Sequence, residues 1–231
     1  MSGDGDDAED GHLDGRAARW SGQRERRRAE FVEAAISAIK AYGPQVSTEQ
    51  IAAFAGVART RLYRHFDNAD DLRHAVNVRI SELIINELAP ALREPGGSIN
   101  QMIRNVVAPF VNWIAENANL YEYGISDRGP NSRFVDTDIR ATIGMLLGKL
   151  VQAYLETWEV ESPYVDVAAF SIIGLVESAG VRWARQPGAV GQTELIEQLS
   201  TWVWAIFDNY LRGQGVVLDP DEPLGLPRSW R

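Results

Sequence analysis

Apolar residues recur at three- and four-residue intervals along most of this chain, and no stretch alternates apolar with polar in the two-residue rhythm of a strand. The spacing predicts a first helix from about Gln23 to Tyr42. Phe31, Ala34, Ala35, Ile36, Ala38 and Ile39 form its apolar face, and Gly43-Pro44 stops it. Two short helices follow, around a sharp turn at Ala55-Gly56-Val57. Ser47, with Gln50 three residues on, makes a capping box for the first of them, and Ile51, Ala52 and Ala55 share its inner face. The second, about Ala58 to Phe66, turns Val57, Leu62 and Phe66 inward. Asp67 or Asn68 then caps a long helix, about Ala69 to Leu92, with Leu72, Val76, Ile80, Leu83, Ile84 and Leu88 on one stripe. Pro90 and the run Glu94-Pro95-Gly96-Gly97 end it.

Beyond residue 97 only helices are expected. One spans Ile99 to Glu116, kinked by Pro109. A short aromatic stretch, Leu120 to Ile125, and a turn-rich loop, Asp127 to Arg133, lead to a strongly periodic helix from about Asp136 to Trp158. Another opens at Ser162-Pro163 and reaches about Arg185, and the last covers about Thr193 to Arg212. The fold class is therefore all-α: an N-terminal three-helix domain containing a helix-turn-helix, followed by a C-terminal helical bundle. The domain reading is a disordered acidic, then basic, arm at 1–22, the helix-turn-helix domain at 23–68, the bundle at 69–212 and a tail at 213–231.

The second short helix leaves Arg59, Thr60, Arg61, Tyr63, Arg64 and His65 on its outer surface. Arginine can hold a guanine edge with two parallel donors, and threonine can meet a base or a methyl group. Tyrosine and histidine can fix register on phosphate oxygens. Ser47 and Thr48, which open the preceding helix, complete the candidate DNA-binding set. An ordinary helical hairpin with a solvated basic face would show the same pattern.

Charge distribution bears on these alternatives without deciding between them. The net charge is −9, but it is unevenly spread. Residues 1–15 hold six acids and no Lys or Arg; residues 16–79 hold twelve Lys or Arg against seven acids; residues 80–231 hold eleven against nineteen. Positive charge is confined to the segment with the helix-turn-helix, as a DNA-binding footprint requires. Arg16, Arg19, Arg24, Arg26, Arg27 and Arg28 form either a basic arm that tracks a groove or the solvated start of the first helix.

The segment from Arg26 to Val76 resembles the DNA-binding domain of the TetR family of transcriptional regulators. The resemblance rests on RRRAEFVEAAISAIKAYG, IAAFAGVARTRLYRHF and DNADDLRHAV. It covers roughly fifty of the 231 residues. Ala58 stands where the family usually has a capping Ser, Arg61 where a small residue is usual, and Ala69 where a Lys often meets phosphate. The resemblance implies a repressor that binds operator DNA, with the long helix carrying a signal between head and bundle. It implies release when a small effector occupies the bundle, and a four-helix dimer interface made by the last two helices.

The residues agree with parts of this. The last two long helices are apolar on more than one face, and each such face must be buried, in the bundle or against a second copy. A two-fold dimer would suit a palindromic operator. Phe110, Trp113, Tyr121, Tyr123, Phe134, Met145, Trp158 and Trp183 either line a ligand cavity or pack an ordinary core. As a set they fit a small lipophilic effector. Arg140 and Arg182 could anchor an acid or pair with a surface Glu.

The chain has no Cys, only three His, and none of HExxH, GxSxG or a phosphate-cradling Gly-rich loop, so no enzyme, metal or cofactor is expected. No apolar run approaches a membrane span, and no secretory leader is read, which makes a cytoplasmic home and no membrane partner the expectation.

Overall fold

The computed structural model describes the backbone of residues 7–126, 132–186, 188 and 190–228, and the side chains of residues 22–125 and, within that set, from 140 onward. Nine helices make up the described residues: α1 (Asp7–Tyr42), α2 (Thr48–Phe54), α3 (Arg59–Leu62), α4 (Ala69–Arg93), α5 (Ile99–Glu116), α6 (Ala118–Ser126), α7 (Ser132–Thr157), α8 (Val165–Arg185) and α9 (Gln192–Gly213). The one strand-like feature among them is an isolated bridge between Ser98 and Pro223. By contact density the chain divides into two compact units, Met1–Arg79 and Ile80–Arg231.

In the first unit, Phe31, Val32, Ala35, Ile36, Ala38 and Ile39 of α1 are buried with Ile51, Ala52, Leu62, Phe66, Leu72 and Val76. Gly43, with φ +92°, ends the tight part of α1 by donating to Ile39 O. The Ser47 capping box forms as expected, with the Ser47 hydroxyl accepting from Gln50 N and the Gln50 side chain accepting from Ser47 N. At the other end of α2, Val57 N donates to Ala52 O and Gly56 N to Ala53 O, while Gly56 takes φ +67°. That is a Schellman turn, and it needs a residue without a Cβ at Gly56. Asn68, rather than Asp67, caps α4: its side chain accepts from Asp71 N.

Two expected elements differ. Helix α1 is helical from Asp7, through the stretch read as a disordered arm. Acids near a helix start and the Ala and Arg that follow favour this conformation. The recognition helix is α-helical over only Arg59–Leu62, then continues as tight turns to His65, with Arg64 N donating to Arg61 O and His65 N to Leu62 O. Ala58 makes no side-chain cap, so the first turn is held by backbone bonds alone, with the Ala58 carbonyl accepting from Arg61 N and Leu62 N.

The second unit is a bundle in which α5 packs mainly on α9 and α7 on α8, with α5 also against α8. Val107, Phe110, Val111 and Ile114 of α5 and Leu195, Ile196, Leu199 and Val203 of α9 are all buried, as facing helices require. At the α7–α8 contact a Cβ on Gly144 would fall 2.8 Å from Cζ of Phe170, so glycine is what lets that ring lie on the α7 backbone. Pro90 does not end α4, which runs on to Arg93 with the Pro90 carbonyl accepting from Glu94 N.

The tail read as crossing the surface is bonded down. Asn100 N donates to Pro220 O and Leu224 N to Gly97 O. The Asn100 amide reaches Asp221, and Arg228 N donates to the Thr157 hydroxyl. Residues 220–228 thus form a strap across the α4–α5 turn and the end of α7.

Helix α8 is long and apolar enough, by length and composition, to cross a membrane. Asp166, Glu177 and Arg182 interrupt it, so no unbroken apolar run announces it in the sequence. Within the bundle it buries Ala169, Ile172, Val176 and Gly180 and leaves Tyr164, Val167 and Phe170 exposed.

Candidate nucleic-acid interface

Leu62 and Phe66 anchor the recognition segment in the core of the first unit, at no more than 1% exposure. This leaves Arg59, Thr60, Arg61 and Arg64 exposed, with Tyr63 half-buried beside them. Arg59 forms an ion pair with Glu49 of α2 and lies 5.3 Å over the Tyr63 ring. Both charged groups are more than half exposed, so the pair is weak and a phosphate or base edge can displace it. Ser47 is occupied as the α2 cap, and Thr48 sits beside it at the start of α2, on the same unit as the recognition segment.

His65 departs from the sequence reading, which put it on the outer face. Its ring packs on Phe31 with centroids 5.3 Å apart, and its Nδ1 is buried without a hydrogen-bond partner. Burial pushes the imidazole pKa below its ordinary value, and the charges of Arg24, Arg27, Arg61 and Arg64 push it further the same way. A neutral ring on an aromatic face is the stable state of this arrangement.

Arg28 was read only as part of a basic stretch, and its role there is positional. Its Nη1 donates to His65 O at 2.8 Å and to Asp71 at 2.9 Å, and Nη2 reaches the other Asp71 oxygen at 2.5 Å. The guanidinium also lies 4.4 Å over the Phe66 ring. Asp71 accepts from Asp67 N as well. The Arg28 hydrogen bond holds the Asp71 carboxyl below the usual carboxylate range. One side chain of α1 therefore ties the end of the recognition segment to the start of α4. No local spacing signals this, because the partners lie 37 and 43 residues away.

A short helix with a Schellman turn before it, apolar anchors beneath it and unpaired cations above it is a DNA-reading device. Residues 31–76 match the family described as bacterial regulatory proteins, tetR family. That segment is a TetR-type DNA-binding head. An HTH-type transcriptional regulator of Mycobacterium tuberculosis is 28% identical over 194 residues, 83% of this chain and 82% of its own length. A solved tetR-family transcriptional regulator from Streptomyces coelicolor superposes with a TM-score of 0.66 at 20% identity, covering 82% of this chain and 83% of that one. The transcriptional regulator FadR from Bacillus subtilis, solved in complex with stearoyl-CoA, gives a TM-score of 0.62 at 18% identity, covering 76% and 96%. The chain thus carries a DNA-binding helix-turn-helix at residues 31–76 and is similar over most of its length to HTH-type transcriptional regulators.

The bundle sorts the residues read as ligand contacts into distinct environments. Phe110, Trp113 and Tyr123 are buried, and Phe110 lies against Gly180 of α8. The Tyr121 hydroxyl donates to Glu177, which also accepts two bonds from Arg140 at 2.9 Å each. Of the two readings for Arg140, pairing with a Glu is the one realised. Trp183 donates its indole N–H to Val190 O. Met145 is 59% exposed and lines an open groove of about 590 Å³ with Lys149, Glu156, Ser162, Val165 and Asp166, away from the other aromatics. Trp158, read with the same set, stacks on Tyr154. The Phe134 side chain lies outside the described residues.

Proposed function

We propose that this protein is a ligand-responsive repressor that binds a roughly palindromic operator as a homodimer and is released by a small, mainly apolar molecule. The observation that carries the reading is the recognition segment itself: Thr60, Arg61 and Arg64 exposed on a turn rigidly anchored by Leu62 and Phe66. Support for a dimer comes from α8 and α9, which leave Val167, Phe170, Trp202 and Ile206 exposed on two neighbouring helices. A second copy would bury those side chains and supply a second recognition segment about one helical turn of DNA away.

Support for an apolar effector comes from the aromatic interior around Phe110, Trp113 and Tyr123, and from the FadR structure holding stearoyl-CoA. Tyr121, Glu177 and Arg140 offer a polar end to such a site. An effector of this kind releases DNA only if it binds the DNA-free arrangement more tightly. A protein of this kind works in the cytoplasm, where operator and effector meet.

Selection from a random duplex library with the purified protein tests the reading. A palindromic site preferred over bulk DNA is the expected outcome, and Arg61→Ala should cut that preference by about 1–3 kcal/mol. Binding that never distinguishes one sequence from another would overturn it. A screen of lipophilic compounds, including long-chain acyl thioesters, tests the effector by release from the selected site.

A further inference from the structure

The phosphate-facing charge that this family's helix-turn-helix commonly draws from the start of α4 is absent here. Ala69 opens that helix, with Asp67 and Asp70 exposed beside it and Asp71 engaged by Arg28. Anionic DNA would be repelled there rather than held. The recognition segment's own Arg59 is paired to Glu49. The cations left open lie elsewhere. The side chains of Arg61 and Arg64 are exposed and make no ion pair or hydrogen bond among the described residues, and the same is true of the Arg24 side chain on α1. Arg27, three residues further, holds only the exposed Glu30 of its own helix.

Helical spacing brings these groups onto one surface. Arg24, Arg27 or Arg28, and Phe31 follow at three- and four-residue steps, so they share a side of α1. Phe31 meets the His65 ring, and Arg28 meets the His65 carbonyl. The same side of the helix, one and two turns earlier, therefore carries Arg27 and Arg24 past the end of the recognition segment. The charges of all four arginines converge on His65, two from α1 and two from the recognition segment.

We propose that Arg24 and Arg27 of α1 form, with Arg61 and Arg64, a continuous phosphate-binding surface, so that duplex DNA is held by the first helix as well as by the helix-turn-helix. The occupant is the sugar–phosphate backbone next to the bases that the recognition segment reads. This extends the DNA-binding reading and rests on it. Arg24 and Arg27 add affinity without sequence preference, since they sit off the base-reading face. They supply from α1 the charge that Ala69 does not supply from α4.

The test compares the wild-type chain with Arg24→Gln/Arg27→Gln, each titrated with a random-sequence duplex and with the best duplex from the library selection, over a range of salt concentrations. Both side chains are exposed, and unchanged helical circular dichroism and melting would show that the variant folds. A dimer loses four contacts, two from each protomer, so the salt slope of log affinity should become shallower by about 3.6, close to 0.9 for each lost phosphate contact. Affinity at fixed salt should drop about tenfold for both duplexes, leaving their ratio unchanged. An unchanged slope, or a loss confined to the selected duplex, would overturn the proposal. The random duplex keeps this separate from sequence reading: wild-type protein that prefers no sequence would sink the repressor, while the slope would still report on Arg24 and Arg27.

Discussion

His65 is the residue at which the DNA-facing surface and the core of the first unit meet, and its ionisation is tied to both. Its folded pKa is held below the ordinary 6.5, first by burial and then by Arg24 and Arg27 from α1 and Arg61 and Arg64 from the recognition segment. Arg28 faces its carbonyl, with Asp71 beyond. A depressed histidine keeps its full contribution to stability above its unfolded pKa and loses it as pH falls through the folded value, because the unfolded chain takes the proton first. The free protein should therefore lose stability below about pH 6.5. Phosphates that neutralise the four arginines remove part of what depresses the ring, so DNA binding should draw in a proton. Operator affinity is expected to rise as pH falls from neutral towards about 5.5, by less than about tenfold per unit for a single proton. Fluorescence anisotropy across that range checks this. His65→Asn should flatten the rise, and a variant that titrates like wild type would assign it to another group.

At the scale of elements, α3 has a defined start only in part. Ala58 takes the extended backbone of an N-cap but offers no side-chain acceptor to the first turn. Ala58→Ser should supply one and stabilise the recognition helix by about 0.5–1 kcal/mol. Slower amide exchange at Arg61 and Leu62, with unchanged exchange in α2, would be the evidence; uniform protection everywhere would mean a global effect. Much of the first unit could be read in advance because its determinants are local. The Ser47–Gln50 box, the glycine at Gly56 and the apolar spacing of Phe31 to Ile39 each act within a few residues. Arg28 on Asp71 and the inward His65 ring were invisible because they join residues far apart in sequence. In the bundle, aromatic composition marked an apolar interior correctly at Phe110, Trp113 and Tyr123. It could not separate these from Met145 or Trp183, since helical periodicity gives a face but not what that face meets. The strap of residues 220–228 escaped for a related reason: Gly, Pro and Asp announce irregular chain, and where such chain goes depends on backbone bonds with no side-chain code.

For the whole molecule, the apolar faces of α8 and α9 set the expectation for assembly. Trp202 is 45% exposed and Val167 64%, which is costly for two neighbouring helices of one chain left bare. Trp202→Glu should leave the fold intact and convert a dimer to a monomer in sedimentation velocity, with operator affinity falling at least about tenfold as the second recognition segment is lost. A wild-type chain that sediments as a monomer at every concentration would send the search to another partner for that face, a lipid surface included. The strap has a consequence for how the molecule comes into being. Its contact between Asn100 and Asp221 spans 121 residues, so at about 5–20 residues per second of synthesis the corner after α4 waits roughly 6–24 s for its closing piece. The first unit is complete in sequence by Arg79 and needs no such delay. During translation, then, the chain passes through a stage with a finished DNA-reading head and an unclosed bundle, and the order of synthesis makes the reader before the part that would govern it.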